Sequence, residues 1–364
     1  MSKTHWIGGV AAAIAAFVAG LACANPTTGL SFIDAERFAT LPADVRFPEG
    51  IAADPATGSI FVGTFDTSGA TTNKLVRLDR SGHVSAVRDF GGTALLGLDF
   101  AGGKVYILNF GASKVQRIDA GFDAGTPIED VATIPSIGSP GSRSEPNPDG
   151  SSDQIAFGSS GFPAPNAMVF DAAGNLYISD SFQGAIFEVA DALHCATPCA
   201  ATTVSHDPLL ATAGTPPFGA NGLAFSADEK TMYVANTGDH RVLAMDMATK
   251  ALSVFSISLH GADGLLFDNG LLWVATNQAD HVVALNSDGR LVIKAGEFLG
   301  LDKDGVPRGL LFPASMVIVN GWMYVTNLAL PLTSDAAHPD AAANRDEPED
   351  FVKRWTVSRF RVPR

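Results

Sequence analysis

Four side chains carry most of the chemistry that this sequence offers: Glu49, Asn166, Asn221 and Asp263. Each stands immediately before a small residue at the start of a recurring apolar segment, and each brings an oxygen donor. Two carboxylates would cancel the charge of a divalent cation, while two amide carbonyls would supply part of the about six to eight oxygens that calcium takes. Water or substrate would fill the remaining positions. An ion held this way polarises a carbonyl or phosphoryl oxygen and orients an attacking water. The competing use of these residue types is turn capping, a common role for Asn and Asp at strand starts. Aligning the six copies of the segment favours the site. The equivalent residues are Glu49, Leu96, Asn166, Asn221, Asp263 and Ala314, so the position is polar in four copies and apolar in two. A glutamate facing a narrow channel without a cation would be costly to bury. By contrast, the residues ending the following segments (Thr64, Asn109, Asp180, Asn236, Thr276 and Asn327) are polar in every copy and read as turn chemistry.

The elements that must position these residues form an internal repeat: a small apolar strand, a turn with Asp, Gly or Asn, then an aromatic-rich strand. The copies are GIAADPATGSIFVGT from Gly50, GLDFAGGKVYILN from Gly97, AMVFDAAGNLYISD from Ala167, GLAFSADEKTMYVAN from Gly222, GLLFDNGLLWVAT from Gly264 and SMVIVNGWMYVTN from Ser315. Each reads as a hairpin. After most copies comes a third strand, such as KVQRID from Lys114, RVLAMD from Arg241 or HVVALN from His281, and then a fourth. The expected fold is therefore all-β, a six-bladed β-propeller of four-stranded blades, in which the first strand of every blade lines the central channel. The sixth unit lacks a fourth strand after Trp355 to Val362, whereas an unassigned strand, Ser31 to Ala39, precedes the first unit. The N-terminal strand is expected to complete the last blade and so remove the open edge.

At these motifs the sequence resembles the senescence marker protein, gluconolactonase and luciferin-regenerating enzyme family, with diisopropylfluorophosphatase and the paraoxonases as more distant six-bladed relatives. The matching stretches are GANGLAFSADEKTMYVAN from Gly219, ADGLLFDNGLLWVAT from Ala262 and FPEGIAAD from Phe47. The resemblance spans all six blades. It implies that Glu49, Asn221 and Asp263 hold a calcium or zinc ion, and that Asn166 touches metal or substrate. It also implies a metal-dependent lactonase or esterase in which Asp263 acts as general base or nucleophile and Glu49 is the other candidate catalytic carboxylate, acting as a ligand. The second-blade position departs from the pattern. It is Leu96, with no counterpart of the histidine pair proposed as proton shuttle in paraoxonases. Two further readings stay open: a non-catalytic propeller with a structural ion that binds a ligand or protein, and strictosidine-synthase-like condensation.

Other machinery is missing from the sequence: there is no G-x-S-x-G elbow, phosphate-binding glycine loop or dinucleotide fingerprint. His260, three residues before Asp263, is a candidate proton carrier, with a surface-loop histidine as the plainer reading. Arg308 is a candidate for an anionic substrate group, with a solvated arginine as the default. Most ring positions lie 42 to 55 residues apart, but Leu96 to Asn166 takes 70. The excess falls in Ile134 to Pro165, and a second long connection runs from Leu328 to Asp350; both are expected on the face of the ring residues, as lids or as plain surface.

Composition bounds the setting. Lys3, the apolar run from Ile7 to Leu21 and the Ala22-Cys23-Ala24 site read as an export signal over residues 1–24, with the mature single domain over 25–364. The alternatives are a spanning helix, for which the run is short, and a lipid anchor on Cys23. The expected location is periplasmic or secreted. Cleavage leaves Cys195 and Cys199, which should form a local disulfide. No spacing of zinc type accompanies them. The chain carries 38 acidic against 24 basic residues. That balance repels nucleic acid and anionic membrane, which leaves a small molecule as the expected partner.

Overall fold

In the computed structural model, which describes residues 29–157, 163–332 and 347–363, every predicted hairpin forms, and each is extended outward by two more antiparallel strands. Blade one runs through Pro48–Ala53, Ile60–Thr64, Asn73–Leu78 and Val84–Gly91; blade two through Leu95–Ala101, Lys104–Asn109, Lys114–Asp119 and Glu129–Thr133. Blade three comprises Pro165–Phe170, Leu176–Asp180, Ala185–Val189 and Ala201–His206, and blade four Ala220–Phe225, Thr231–Asn236, Arg241–Asp246 and Leu252–Ile257. Blade five holds Ala262–Asp268, Leu271–Thr276, His281–Leu285 and Leu291–Ala295. In blade six, Pro313–Val319, Trp322–Asn327 and Thr356–Arg361 are joined by Glu36–Thr40 from the other end of the chain. The first strands contact one another in order around a closed ring. This is a six-bladed β-propeller. The expected export signal lies outside the described residues, among which no helix is long and apolar enough to cross a membrane.

The N-terminal strand is shorter than the sequence suggested. Only Glu36–Thr40 closes the ring, with Ala39 opposite Val357. Ser31–Ile33 instead pairs in parallel with Leu291–Ala295, adding a fifth strand to blade five. The segment thus covers the outer edges of two neighbouring blades, and an uncovered edge would invite pairing with other chains.

Packing between blades depends on large side chains from the middle strands. Phe61, Tyr106, Phe187, Trp273 and Phe360 are fully buried. The six polar residues ending the second strands are buried as well, and they are used internally. Asp180 accepts from the backbone N–H groups of Ala164, Phe182 and Gln183. Asn236 Nδ2 donates to the carbonyls of Leu209 and Ala211, and Asn327 Oδ1 accepts from Leu311 N–H. Burying these polar groups is tolerable because they are hydrogen-bonded. The expected disulfide forms, Cys195 to Cys199 with Cα atoms 5.9 Å apart.

The described parts of the long connections are partly ordered by charge. The insertion between blades two and three folds into a hairpin, Arg143–Pro146 with Ser152–Ile155. Arg143 ties it to blade four through Asp239 at 2.8 Å, a carboxylate shared with Arg241 at 2.7 Å. Residues 158–162 of this connection, and 333–346 of the one expected over 328–350, lie outside the described residues.

Candidate functional site

Each ring residue is second in its blade's first strand and is followed by a small residue. Close approach of the neighbouring blade explains that choice. A Cβ at Gly50 would sit 2.2 Å from the Leu96 carbonyl oxygen, and one at Gly222 would sit 2.2 Å from that of Asp263. Both are far inside contact distance, so glycine is required at these two positions, while Ala167 and Ser315 take the equivalent place in blades three and six. That tight ring turns Glu49, Leu96, Asn166, Asn221 and Asp263 toward one small cavity of about 30 Å³ on the axis. The four polar members are only 3–6 % exposed. Ala314, the sixth, is fully buried.

A second circle of residues, one place beyond the polar strand ends, decides how the ring points. In blades one, two and six it is Phe65, Phe110 and Leu328; in blades three, four and five it is Ser181, Thr237 and Asn277. Asn166 Nδ2 donates to Ser181 Oγ at 2.8 Å, and Ser181 Oγ donates onward to the Ala220 carbonyl at 2.7 Å. Asn221 Nδ2 likewise donates to Thr237 Oγ1 at 2.9 Å, whose hydroxyl donates to the Ala262 carbonyl at 2.7 Å. In both blades the hydroxyl takes up the amide N–H and leaves the amide oxygen as the free end. Asn277 Nδ2 donates to Asp263 Oδ2 at 3.1 Å. Sequence reasoning missed Ser181, Thr237 and Asn277. The signal was present, because the position is polar in three blades and apolar in three.

Four oxygens at this site are buried and have no hydrogen-bond partner: Glu49 Oε2, Asn166 Oδ1 and Asp263 Oδ1 from the ring and Asn277 Oδ1 behind it. Unsatisfied buried acceptors are rare and each is costly. Their clustering here, beside Asn221, fits a hard cation, because the donors are all oxygen and include two negative charges. Without an ion the carboxylates resist ionisation. Burial, then the charge of Asp263, pushes Glu49 well above the ordinary carboxylate range, against a hydrogen bond from Ser315. Burial also pushes Asp263 up to about 7, against the hydrogen bonds from Asn277 and Asn221. Among the described residues no three His, Cys, Asp or Glu side chains cluster as a zinc site would need.

The walls above the ring are apolar: Phe65, Pro216, Phe218, Phe312, Leu328, Leu330 and Leu332 complete the cavity lining. Below it, Ile51, Leu98, Met168, Leu223, Leu265 and Met316, two places after each ring residue, are buried and belong to a separate cavity of about 560 Å³. The two cavities share no lining residue.

The other candidates do not join the ring. His260 is exposed, its ring 4.5 Å from that of His240, and it does not line the cavity. Arg308 is exposed and donates to the Leu299 carbonyl at 2.8 Å, on the hairpin Phe298–Leu301 with Pro307–Gly309. It too is absent from the lining. Both positions match the plainer readings of the sequence, a surface-loop histidine and an exposed arginine.

Comparison with known proteins agrees with this architecture. A luciferin-regenerating enzyme has a similar structure with a TM-score of 0.59 at 15% identity, over 90% of this chain and 95% of that one. A calcium-binding protein, regucalcin, from Agrobacterium tumefaciens gives 0.57 at 17%, over 92% and 97%. A gluconolactonase from Xanthomonas campestris gives 0.52 at 14%, over 91% and 95%. At these identities the likeness is one of fold. No curated protein sequence matches the chain. Residues 161–295, which span blades three to five, match the SMP-30/Gluconolactonase/LRE-like region, the family that the motifs resembled.

Proposed function

We propose that the protein is a calcium-dependent hydrolase of lactones or related esters, working at the axial cavity. The observation that carries the reading is that the ring residues Glu49, Asn166 and Asp263, each with a buried oxygen that has no hydrogen-bond partner, line one small cavity on the propeller axis. The matched family region and the calcium-binding and gluconolactonase neighbours support it at the level of class. Export is part of the proposal, supported by the bonded cysteine pair.

Calcium, when bound, would polarise the ester carbonyl. Glu49, with Asn166 and Asn221 held by Ser181 and Thr237, would hold the ion. Asp263, its Oδ2 held by Asn277 Nδ2 at 3.1 Å, would serve as general base. In the proposed reaction the attacking water gives a proton to Asp263 and its oxygen bonds to the carbonyl carbon. The acyl C–O bond then breaks, and that proton passes to the leaving alkoxide, which yields a hydroxy acid from a lactone.

A second reading, a non-catalytic propeller with a structural ion, is favoured by the small size of the cavity. One experiment separates the two. Protein is assayed on lactones and esters before chelation, after it, and after calcium return, beside Asp263→Ala. Activity lost on chelation, restored by calcium and absent in the variant establishes the hydrolase. A calcium-loaded, folded protein without activity on the panel supports the structural ion.

A further inference from the structure

We infer that the substrate is an uncharged, lipophilic lactone or ester and not a polyhydroxylated sugar lactone. The inference rests on the hydrolase reading above and concerns the same cavity. Its upper wall is formed by Phe65, Phe218, Phe312, Leu328, Leu330 and Leu332. Among the described residues the only polar lining groups are the ring residues with Thr237 and Asn277, and their side-chain donors are already engaged with Ser181, Thr237, Asp263 and the Ala262 carbonyl. A sugar lactone would bring several hydroxyls against hydrocarbon. Each hydroxyl left without a partner weakens binding on the order of tenfold or more.

Charge selects in the same direction. Glu49 and Asp263 together balance one divalent cation, and among the described residues the lining contains no lysine, arginine or histidine. An anionic group on the substrate would meet no counter-charge among the described lining residues, since Arg308 donates elsewhere, to the Leu299 carbonyl. A neutral ester with an alkyl or aryl tail meets complementary surface on every side but the reactive one. The aromatic part of the wall is braced, with Phe218 stacked on Phe182 at 5.6 Å and edge-on to Phe65 at 6.4 Å. Leu330 and Leu332 are only half-buried. Because the cavity of about 30 Å³ holds little more than an ion and a water, the tail must enter by displacing these two leucines. Hydrolysis follows the balance given above: water adds across the acyl C–O bond and its proton ends on the leaving oxygen.

The test uses the full chain loaded with calcium, verified by calorimetry, and compares glucono-δ-lactone with δ-valerolactone, δ-decalactone and δ-dodecalactone. The expected result is a kcat/KM rising roughly fourfold per methylene over the first few carbons, with gluconolactone at least ~100-fold below δ-decalactone. Equal or better turnover of gluconolactone overturns the substrate class while leaving the hydrolase intact. If the calcium-loaded protein turns over none of them, the hydrolase reading fails, and calorimetric binding of the same compounds decides the ligand class. Decalactone binding without gluconolactone binding upholds the apolar preference; the reverse, or no binding by either, overturns it. Leu330→Asn, at a half-buried position that tolerates a polar residue, should cut the preference for δ-decalactone over δ-valerolactone about fivefold with calcium affinity unchanged. An unchanged preference removes this wall from the argument.

Discussion

Blades three, four and five and the opposite arc of six, one and two meet at one axis but treat it differently. In the first arc the ring residue is Asn166, Asn221 or Asp263, and behind it stands Ser181, Thr237 or Asn277 to orient it. In the second arc Ala314 and Leu96 occupy the ring, backed by Leu328 and Phe110, and only Glu49 is polar. The backbone is equivalent throughout, so the contrast arises from side chains alone. A symmetric fold can therefore carry an asymmetric site, with the charged and amide oxygens on one side and hydrocarbon on the other. The arc that matches the SMP-30/Gluconolactonase/LRE-like region is the polar one.

Glu49 breaks the pattern, so making it conform gives the largest expected effect. Glu49→Leu, copying Leu96, should reduce calcium affinity by a factor on the order of 100 or more, because half of the balancing charge is lost. The same change should raise the melting temperature of the cation-free protein, since a buried acid with no cationic partner is removed. Calorimetric titration and thermal unfolding on one sample check both signs; a lower melting temperature without calcium would show that Glu49 stabilises the empty ring.

Converting the polar arc toward the apolar one should have smaller consequences. Asn277→Leu, matching Leu328, removes the Nδ2 donor to Asp263 and should weaken calcium binding about tenfold, with the fold intact by circular dichroism. Thr237→Val removes the hydroxyl that holds Asn221 and bridges to Ala262. It should weaken binding several-fold and cost about 1 kcal/mol of stability, read by calorimetry and denaturant unfolding.

Acidity supplies the mildest test. In the cation-free protein the folded-state pKa of Asp263 is raised to about 7 from 3.8. The folded state then binds more protons at Asp263 than the unfolded state between those values, so the contribution of Asp263 to cation-free stability is full below pH 4 and is lost as pH rises through about 7. Calcium needs the ionised form, so the stabilisation that it confers should grow over the same interval and level off above it. Melting temperatures with and without calcium from pH 5 to 8 measure this; a calcium increment that does not depend on pH would detach the ion from Asp263.

The repeat made the fold legible because each blade restates one pattern: a small residue where neighbours touch, apolar strands, a polar stop. The ring was legible because it violates that repetition at Leu96 and Ala314 while the backbone keeps the register. Ser181, Thr237 and Asn277 obey the same logic one turn later, yet they adjoin a position that is polar everywhere, and that uniformity hid them. His260 and Arg308 follow their plainer readings, as exposed residues outside the cavity lining. Proximity in sequence to a ring residue says little once the chain has left the strand, because the direction of a loop is set by contacts that no spacing records. The split of the N-terminal strand between two blades was likewise invisible, since it depends on which outer edges stand uncovered.

The strand pairing that closes the ring has a temporal consequence. Glu36–Thr40 must wait for Thr356–Arg361, so a strand made early in the chain finds its place only when one made late has followed. Until then blade six is incomplete and the circle is open at one seam. A chain cut short before Thr356 would keep its inner strands but leave Glu36–Thr40 without its partner. Closure is thus a test of completeness, applied by geometry, and a C-terminal truncation should be recognised by its failure to become resistant to protease.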